Sequence, residues 1–218
     1  MSSRTKLVSL QKLNRDPVLA SALLRLMMAI NDSALADESL TMWQAVTDEK
    51  RKVRRQEAIK YFVELQIAHL YEGMKVLREI SRSQALKRYI DQSDKPTRDE
   101  FARLVKFAEG NRYEELIGRV RNNLAFHYDG RLSARVLKEQ VELTPDATLW
   151  ISMGNSSSDW LFEPGALISE QIAVKEVFKV PVHADVTEAT DKIMIEVQAI
   201  QREFVRFAGH FIWQHTHA

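Results

Sequence analysis

Hydrophobic positions recur along this chain at steps of three and four residues, the spacing that lines side chains along one face of an α-helix. The first run follows Asp16-Pro17, an N-cap with proline at the first helical position, and its stripe is Leu19, Leu23, Leu26 and Ile30. After Asn31-Asp32 the pattern weakens and resumes through Leu35, Leu40 and Trp43, which predicts a broken or bent first helix. The clearest periodicity lies between Thr47 and Ser93, where Ile59, Val63, Ile67, Leu70, Met74 and Leu77 continue at four- and three-residue steps. Thr47 reads as its N-cap, with Asp48 and Glu49 in the first turn. Tyr61, Phe62 and Tyr71 widen its apolar surface, which suits a seam against a partner chain, although intramolecular core is the commoner use of such a pattern.

Asp94-Lys-Pro-Thr breaks this helix, and Thr97-Arg-Asp-Glu reads as a capping box for the next, which carries Phe101, Leu104, Val105 and Phe107 and ends at Gly110. From Tyr113 another helix places Leu116, Ile117, Val120 and Leu124 on one face, with Asp129-Gly130 as its stop and a short helix from Leu132 to Val141 beyond. Between Glu142 and Gly165 the texture changes. TLWISM is strand-like, GNSSSDW is a polar turn cluster, and WLFEP can pair back, so a small hairpin or ordered loop lying against the helices is expected. Helix returns from about Ala166 to Phe178, breaks at Val180-Pro181 and resumes from Ala184. The fold expected is all-α, an antiparallel helical bundle over about residues 17–141, a hairpin or loop over 142–165 and a C-terminal helical segment over 166–216, in a single domain spanning 1–218.

Composition narrows the class. Seven glycines and five prolines among 218 residues argue against a many-turned β protein. A net charge of +1 excludes a globally basic nucleic-acid coat, so phosphate contacts would come from a local patch. The absence of cysteine excludes disulfides, zinc-thiolate sites and thiol nucleophiles. No signal-peptide core and no uninterrupted apolar run of membrane-spanning length is seen, so a cytoplasmic protein without a membrane role is expected.

Candidate chemistry concentrates in VRNNLAFHYDGR, residues 120–131. In a straight helix Arg121 and His127 lie about 120° apart around the axis and roughly 9 Å apart along it, too far to meet. Each borders the face of Leu116, Ile117, Val120 and Leu124, from opposite edges, so a groove closed by another helix or a second chain would bring an arginine and a histidine together. His127 sits where the negative end of the helix dipole favours its protonated form, with Asn123 one turn below. Such a histidine exchanges protons near neutral pH. Arg121 offers forked donors for a phosphate, and the amide of Asn122 or Asn123 can orient it or the substrate. On spacing alone, a satisfied core histidine and a solvated arginine account for the same pair.

Arg121-Asn122, four further residues and His127, near the end of a helix in an all-α bundle, resembles the signature of the HEPN superfamily. The long helix YFVELQIAHLYEGMKVLREI also resembles that of HEPN proteins of abortive-infection systems. The resemblance spans roughly Pro17 to Val141. It implies metal-independent RNA cleavage by a toxin or phage-defence effector, at a composite site formed by two motif helices across a homodimer, with no cofactor. The RNA 2′-hydroxyl would attack the adjacent phosphate, with His127 as general acid or base, Arg121 holding the phosphate and Asn122 positioning either group. Some HEPN toxins are modified by a nucleotidyltransferase antitoxin on a tyrosine two residues after the histidine. Tyr128 directly follows His127 here, although its distance from Arg121 matches the pattern with four intervening residues.

Other signals compete. The basic run Lys50, Arg51, Lys52, Arg54 and Arg55 could neutralise RNA phosphates and equally forms a solvated helix face. His210, His215 and His217 suggest a metal, yet they lack an adjacent carboxylate or cysteine and two lie in an expected frayed tail, so no metal site is expected. The run Ser156, Ser157, Ser158, Asp159 has no neighbouring histidine base. The alternative to a nuclease is a non-catalytic helical protein of the same family that binds RNA, a nucleotide or a partner protein.

Overall fold

A computed structural model describes residues 5–48, 51–119, 130–153, 155, 161–180 and 186–216. After a single turn, α1 (Leu10–Leu13), the Asp16 carboxylate accepts from the backbone N–H groups of Val18 and Leu19, both at 3.1 Å, and launches α2 (Pro17–Gln44). This helix does not break at Asn31-Asp32. Beyond Pro17 it contains neither glycine nor proline, and Asn, Asp and Ser each cost at most about 0.7 kcal/mol in a helix interior. The buried stripe of Leu19, Leu23 and Leu26 runs on through Ser33, Ala36 and Leu40, while Asp32 turns outward to His69 Nδ1 at 3.6 Å.

The helix expected from Thr47 to Ser93 is two helices, α3 (Lys52–Arg82) and α4 (Gln84–Gln92). Residues 46–48 are not helical, and the preceding turn is closed instead by Arg55 Nη1 donating to the carbonyl of Val46 at 2.7 Å. At the other end Ser83 adopts an extended backbone, and its hydroxyl accepts from Leu86 N–H at 3.4 Å. A serine side chain that bonds the local backbone competes with helix continuation, and hydrophobic spacing does not register such a turn.

Helix α5 (Lys95–Ala108) is capped three residues before the expected capping box. Its cap is Asp94, which accepts from Thr97 N–H at 2.9 Å, with Pro96 in the first turn. Thr97 is buried inside the helix, where its hydroxyl accepts from Gln214 Nε2 at 3.1 Å, and Glu100 turns to Arg206 rather than back to the cap. After Gly110, α6 (Asn111–Tyr113) runs directly into a π-helical turn, Glu114–Gly118. Gly130, expected to stop a helix, is the first residue of α7 (Gly130–Leu143) and has no positive φ. The expected hairpin forms between β1 (Ile151–Ser152) and β2 (Leu161–Phe162), with Ile151 opposite Phe162 and Ser152 opposite Leu161. Glu163 closes it: its N–H donates to Trp150 O at 3.1 Å, and its carboxylate accepts from Trp150 N–H at 2.7 Å. Helix α8 (Glu163–Ile172) passes into a second π-helical turn, Ala173–Val177. Lys179 then takes a left-handed φ of 51°, and α9 (Val186–His215) follows. The fold is all-α with one small hairpin and a C-terminal helix.

Two compact units make up the chain. Unit 1 comprises Met1–Leu35, His69–Tyr113 and Gln198–Ala218, and unit 2 comprises Ala36–Ala68 and Glu114–Val197. In unit 1, Leu23, Leu26, Leu70, Met74, Leu77, Ile80, Phe204, Phe207 and Phe211 are fully buried. Full burial of such side chains contributes about 1.5–3 kcal/mol each. Gly73 lies directly under the Phe204 ring, where a Cβ would collide. In unit 2 the buried residues include Ile67, Leu116, Ile117, Val136, Ile172 and Val177. Among the described residues α2 alone is long and apolar enough to cross a membrane by length and composition; Arg25 and Asp32 interrupt it, so it contains no unbroken apolar run of that length.

Candidate functional site

Arg121, Asn122, Asn123, His127 and Tyr128 lie outside the described residues, as does Lys50. Their flanks are described. Upstream, Tyr113 is held in unit 1 by three aromatic or cationic contacts. Arg78 stacks over its ring at 4.2 Å, Tyr71 stacks at 5.8 Å, and Phe107 meets it edge-on at 6.0 Å. Arg78 also donates through Nε at 2.9 Å, and through Nη2, to the carbonyl of Ala108, closing the negative end of α5 with a cation. In unit 2, the π-helical turn buries Leu116 and Ile117, the two residues of the expected apolar face that are described. Downstream, Val136 of α7 is fully buried.

The basic run is only partly free to meet a polyanion. Arg51 and Lys52 are exposed, Arg54 is half-buried, and Arg55 is half-buried with its guanidinium on Val46 O. Among the C-terminal histidines, His210 is half exposed and lies 3.8 Å from the buried Glu100 carboxylate. His215 does not belong to a frayed tail. It is the last residue of α9 and is buried, with Nε2 2.9 Å from Ser93 Oγ. The Ser93 hydroxyl spends its one proton on Tyr89 O at 2.8 Å, so His215 Nε2–H is the donor and Ser93 the acceptor. The pair ties the end of α9 to the end of α4 and supplies no activated serine. His217 and Ser156–Asp159 lie outside the described residues, and no cluster of three metal-ligating side chains occurs among those described.

Sequence reasoning passed over Glu64. This residue sits on the unit 2 part of α3, and its Oε1 is buried without a hydrogen-bond partner. Burial pushes the carboxyl up to about 7, against the pull of Lys60 and with the help of the negative charge of Glu57. Lys60 does not bond it, donating instead to Ser169 Oγ of α8 at 2.7 Å. The signal was present in the spacing, since Glu57, Lys60 and Glu64 recur at steps of three and four on a helix whose neighbouring positions are apolar. A half-buried carboxyl that titrates near neutrality can exchange protons. No protein-family model, curated protein or solved structure matches this chain.

Proposed function

We propose that the chain is a HEPN-like endoribonuclease that cleaves RNA without a metal and acts in the cytoplasm as a toxin or phage-defence effector. One observation carries this reading. The motif Arg121-Asn122-x4-His127 follows a helical segment whose Leu116 and Ile117 are buried, as a motif helix bordering a closed groove requires. In this chemistry the 2′-oxygen of the RNA forms a bond to phosphorus while the 5′-oxygen leaves. The nucleophile therefore comes from the substrate. His127 takes the proton from the 2′-hydroxyl or returns one to the 5′-oxygen, Arg121 neutralises charge on the phosphate, and Asn122 orients either group. If Arg121 and His127 share a straight α-helix, the about 120° between them favours a homodimer in which an arginine and a histidine from different helices meet. Arg51 and Arg54, with Lys50, Arg55 and Asn123, are the proposed RNA-backbone contacts, and a nucleotidyltransferase is the proposed antitoxin class.

The test is cleavage of structured RNA by the purified full-length protein in EDTA, beside Arg121→Ala and His127→Ala. Wild type is expected to cut, and each variant to lose on the order of 100-fold or more in rate. Equal cleavage by all three, or cleavage by none, would remove the enzyme and leave the non-catalytic binding protein.

A further inference from the structure

The C-terminal part of the apolar seam of α3 is spent inside the chain, where Ile67, Leu70, Met74 and Leu77 are all buried, while Ile59 and Val63 are half-buried. Helix α2 differs: it is apolar on two opposite faces. Leu23, Leu26 and Ser33 point into the core, and roughly 180° away run Leu24, Met28, Asn31 and Leu35. Leu24 is 44% exposed, Met28 63% and Leu35 64%. Their steps of four, three and four residues make the seam with which one helix packs along another, and Met42 repeats Met28 and Leu35 at the same seven-residue interval.

We propose that this outer face of α2 seats a second copy of the chain, packed antiparallel about a two-fold axis between Ala29 and Ile30. That axis sets Leu24 opposite Leu35 of the second copy and Met28 opposite its Asn31. The two Asn31 residues stand about 4.5 Å apart along the helices, and a pair of amides, each donor and acceptor, is self-complementary. Arg25 and Asp32 lie seven residues apart on one flank of the seam; Arg25 pairs with Glu79 at 2.5 Å and Asp32 lies 3.6 Å from His69 Nδ1, yet both remain substantially exposed and open to a further charge. In an antiparallel pair each flank meets its own reversed copy, so Arg25 faces Asp32 of the other chain twice over. A parallel pair would set that flank against Met27 and Ala34 and gain no ion pair. A bilayer is the poorer occupant, because Arg25, Asn31 and Asp32 would all enter hydrocarbon near the middle of the seam.

The inference rests on the ribonuclease reading only in giving its homodimer a surface. Mass in solution tests it, not cleavage. Light scattering or sedimentation of the full chain is expected to give twice 25.2 kDa, and Met28→Glu to give a monomer with unchanged circular dichroism. Because the chain has no cysteine, Asn31→Cys is expected to oxidise to a covalent dimer and Leu24→Cys is not. A monomeric wild type at 100 µM (on the order of a weak dimer's dissociation range), a dimer indifferent to Met28→Glu, cross-linking through Leu24→Cys alone, or flotation with phosphatidylcholine vesicles would each overturn it. A dimer that cuts no RNA keeps this surface and removes the nuclease, and a monomer that cuts RNA does the reverse.

Discussion

Unit 1 and unit 2 solve packing differently. The largest fully buried side chains among the described residues, Tyr113, Phe204, Phe207 and Phe211, all belong to unit 1, whereas unit 2 fully buries nothing larger than Ile67 and Ile117. Unit 1 stacks Phe207 on Phe211 at 5.6 Å, tilts Phe101 against Phe207, pairs Arg206 with the buried Glu100, and anchors its helix ends with Asp16, Asp94 and the Ser93–His215 contact. Unit 2 holds both π-helical turns, the two-residue strands and the half-buried Glu64. Trp150, Ile151, Met153 and Phe162, on and beside the hairpin, are all largely exposed. The described residues on either side of Arg121 and His127 in the sequence, Glu114–Gly118 and Gly130–Leu143, belong to unit 2. Close packing with satisfied caps makes a framework, whereas widened turns are features that stability alone does not favour; buried oxygens without a hydrogen bond occur in both units, Glu64 Oε1 in unit 2 and Ser33 Oγ and Glu100 Oε2 in unit 1. The difference separates a structural unit from the one where chemistry is proposed.

Three measurements break or sharpen this contrast. The largest effect is expected from Phe207→Ala, which leaves a cavity in the aromatic stack and should cost about 3–5 kcal/mol by urea denaturation. Ile172→Ala, at the start of a π-helical turn that can close over the gap, should cost only about 2 kcal/mol, the low end for such a truncation. Equal costs would erase the contrast.

Next is the pH dependence of unit 2. Glu64 titrates at about 7 when folded against an ordinary 4.5, so between those values the folded chain holds a proton that the unfolded chain has released. Stability from this group is therefore intact below about pH 4.5 and falls as pH rises through 7, by up to about 3 kcal/mol. Glu64→Gln should flatten the difference in urea midpoint between pH 5 and pH 8, and an unchanged slope would show that the carboxyl is solvated. The smallest effect belongs to unit 1: Asp94→Ala should lower stability by about 1 kcal/mol through loss of the α5 cap, measured as a reduced thermal midpoint. A loss confined to fraying of the first turn of α5, read by hydrogen exchange, would show that the framework tolerates the loss of one cap.

Most helices were legible in the spacing of apolar residues, and the hairpin in its alternation and turn residues. The buried stripes of α2 and α3 follow that spacing because burial needs one continuous face. Boundaries were less legible. Thr97-x-x-Glu100 has the form of a capping box, but Asp94 lies three residues earlier and Glu100 found Arg206 on a helix about a hundred positions away. Ser83 ended a helix that its neighbours' hydrophobicity would have continued. Asn31-Asp32 looked like a break and was none, because a helix packed along one face tolerates weak formers on the other.

The sequence by itself determined the helical class, the N-cap at Asp16, the hairpin and the single stretch where an arginine, two amides and a histidine crowd together, since each depends on neighbours a few residues apart. Tertiary structure alone decided that Glu64 is buried without a bond, that His215 donates to Ser93 instead of fraying, and that one face of α2 is covered while its opposite face stays exposed. Those properties depend on which distant side chains arrive at the same place, and spacing along the chain carries no record of that.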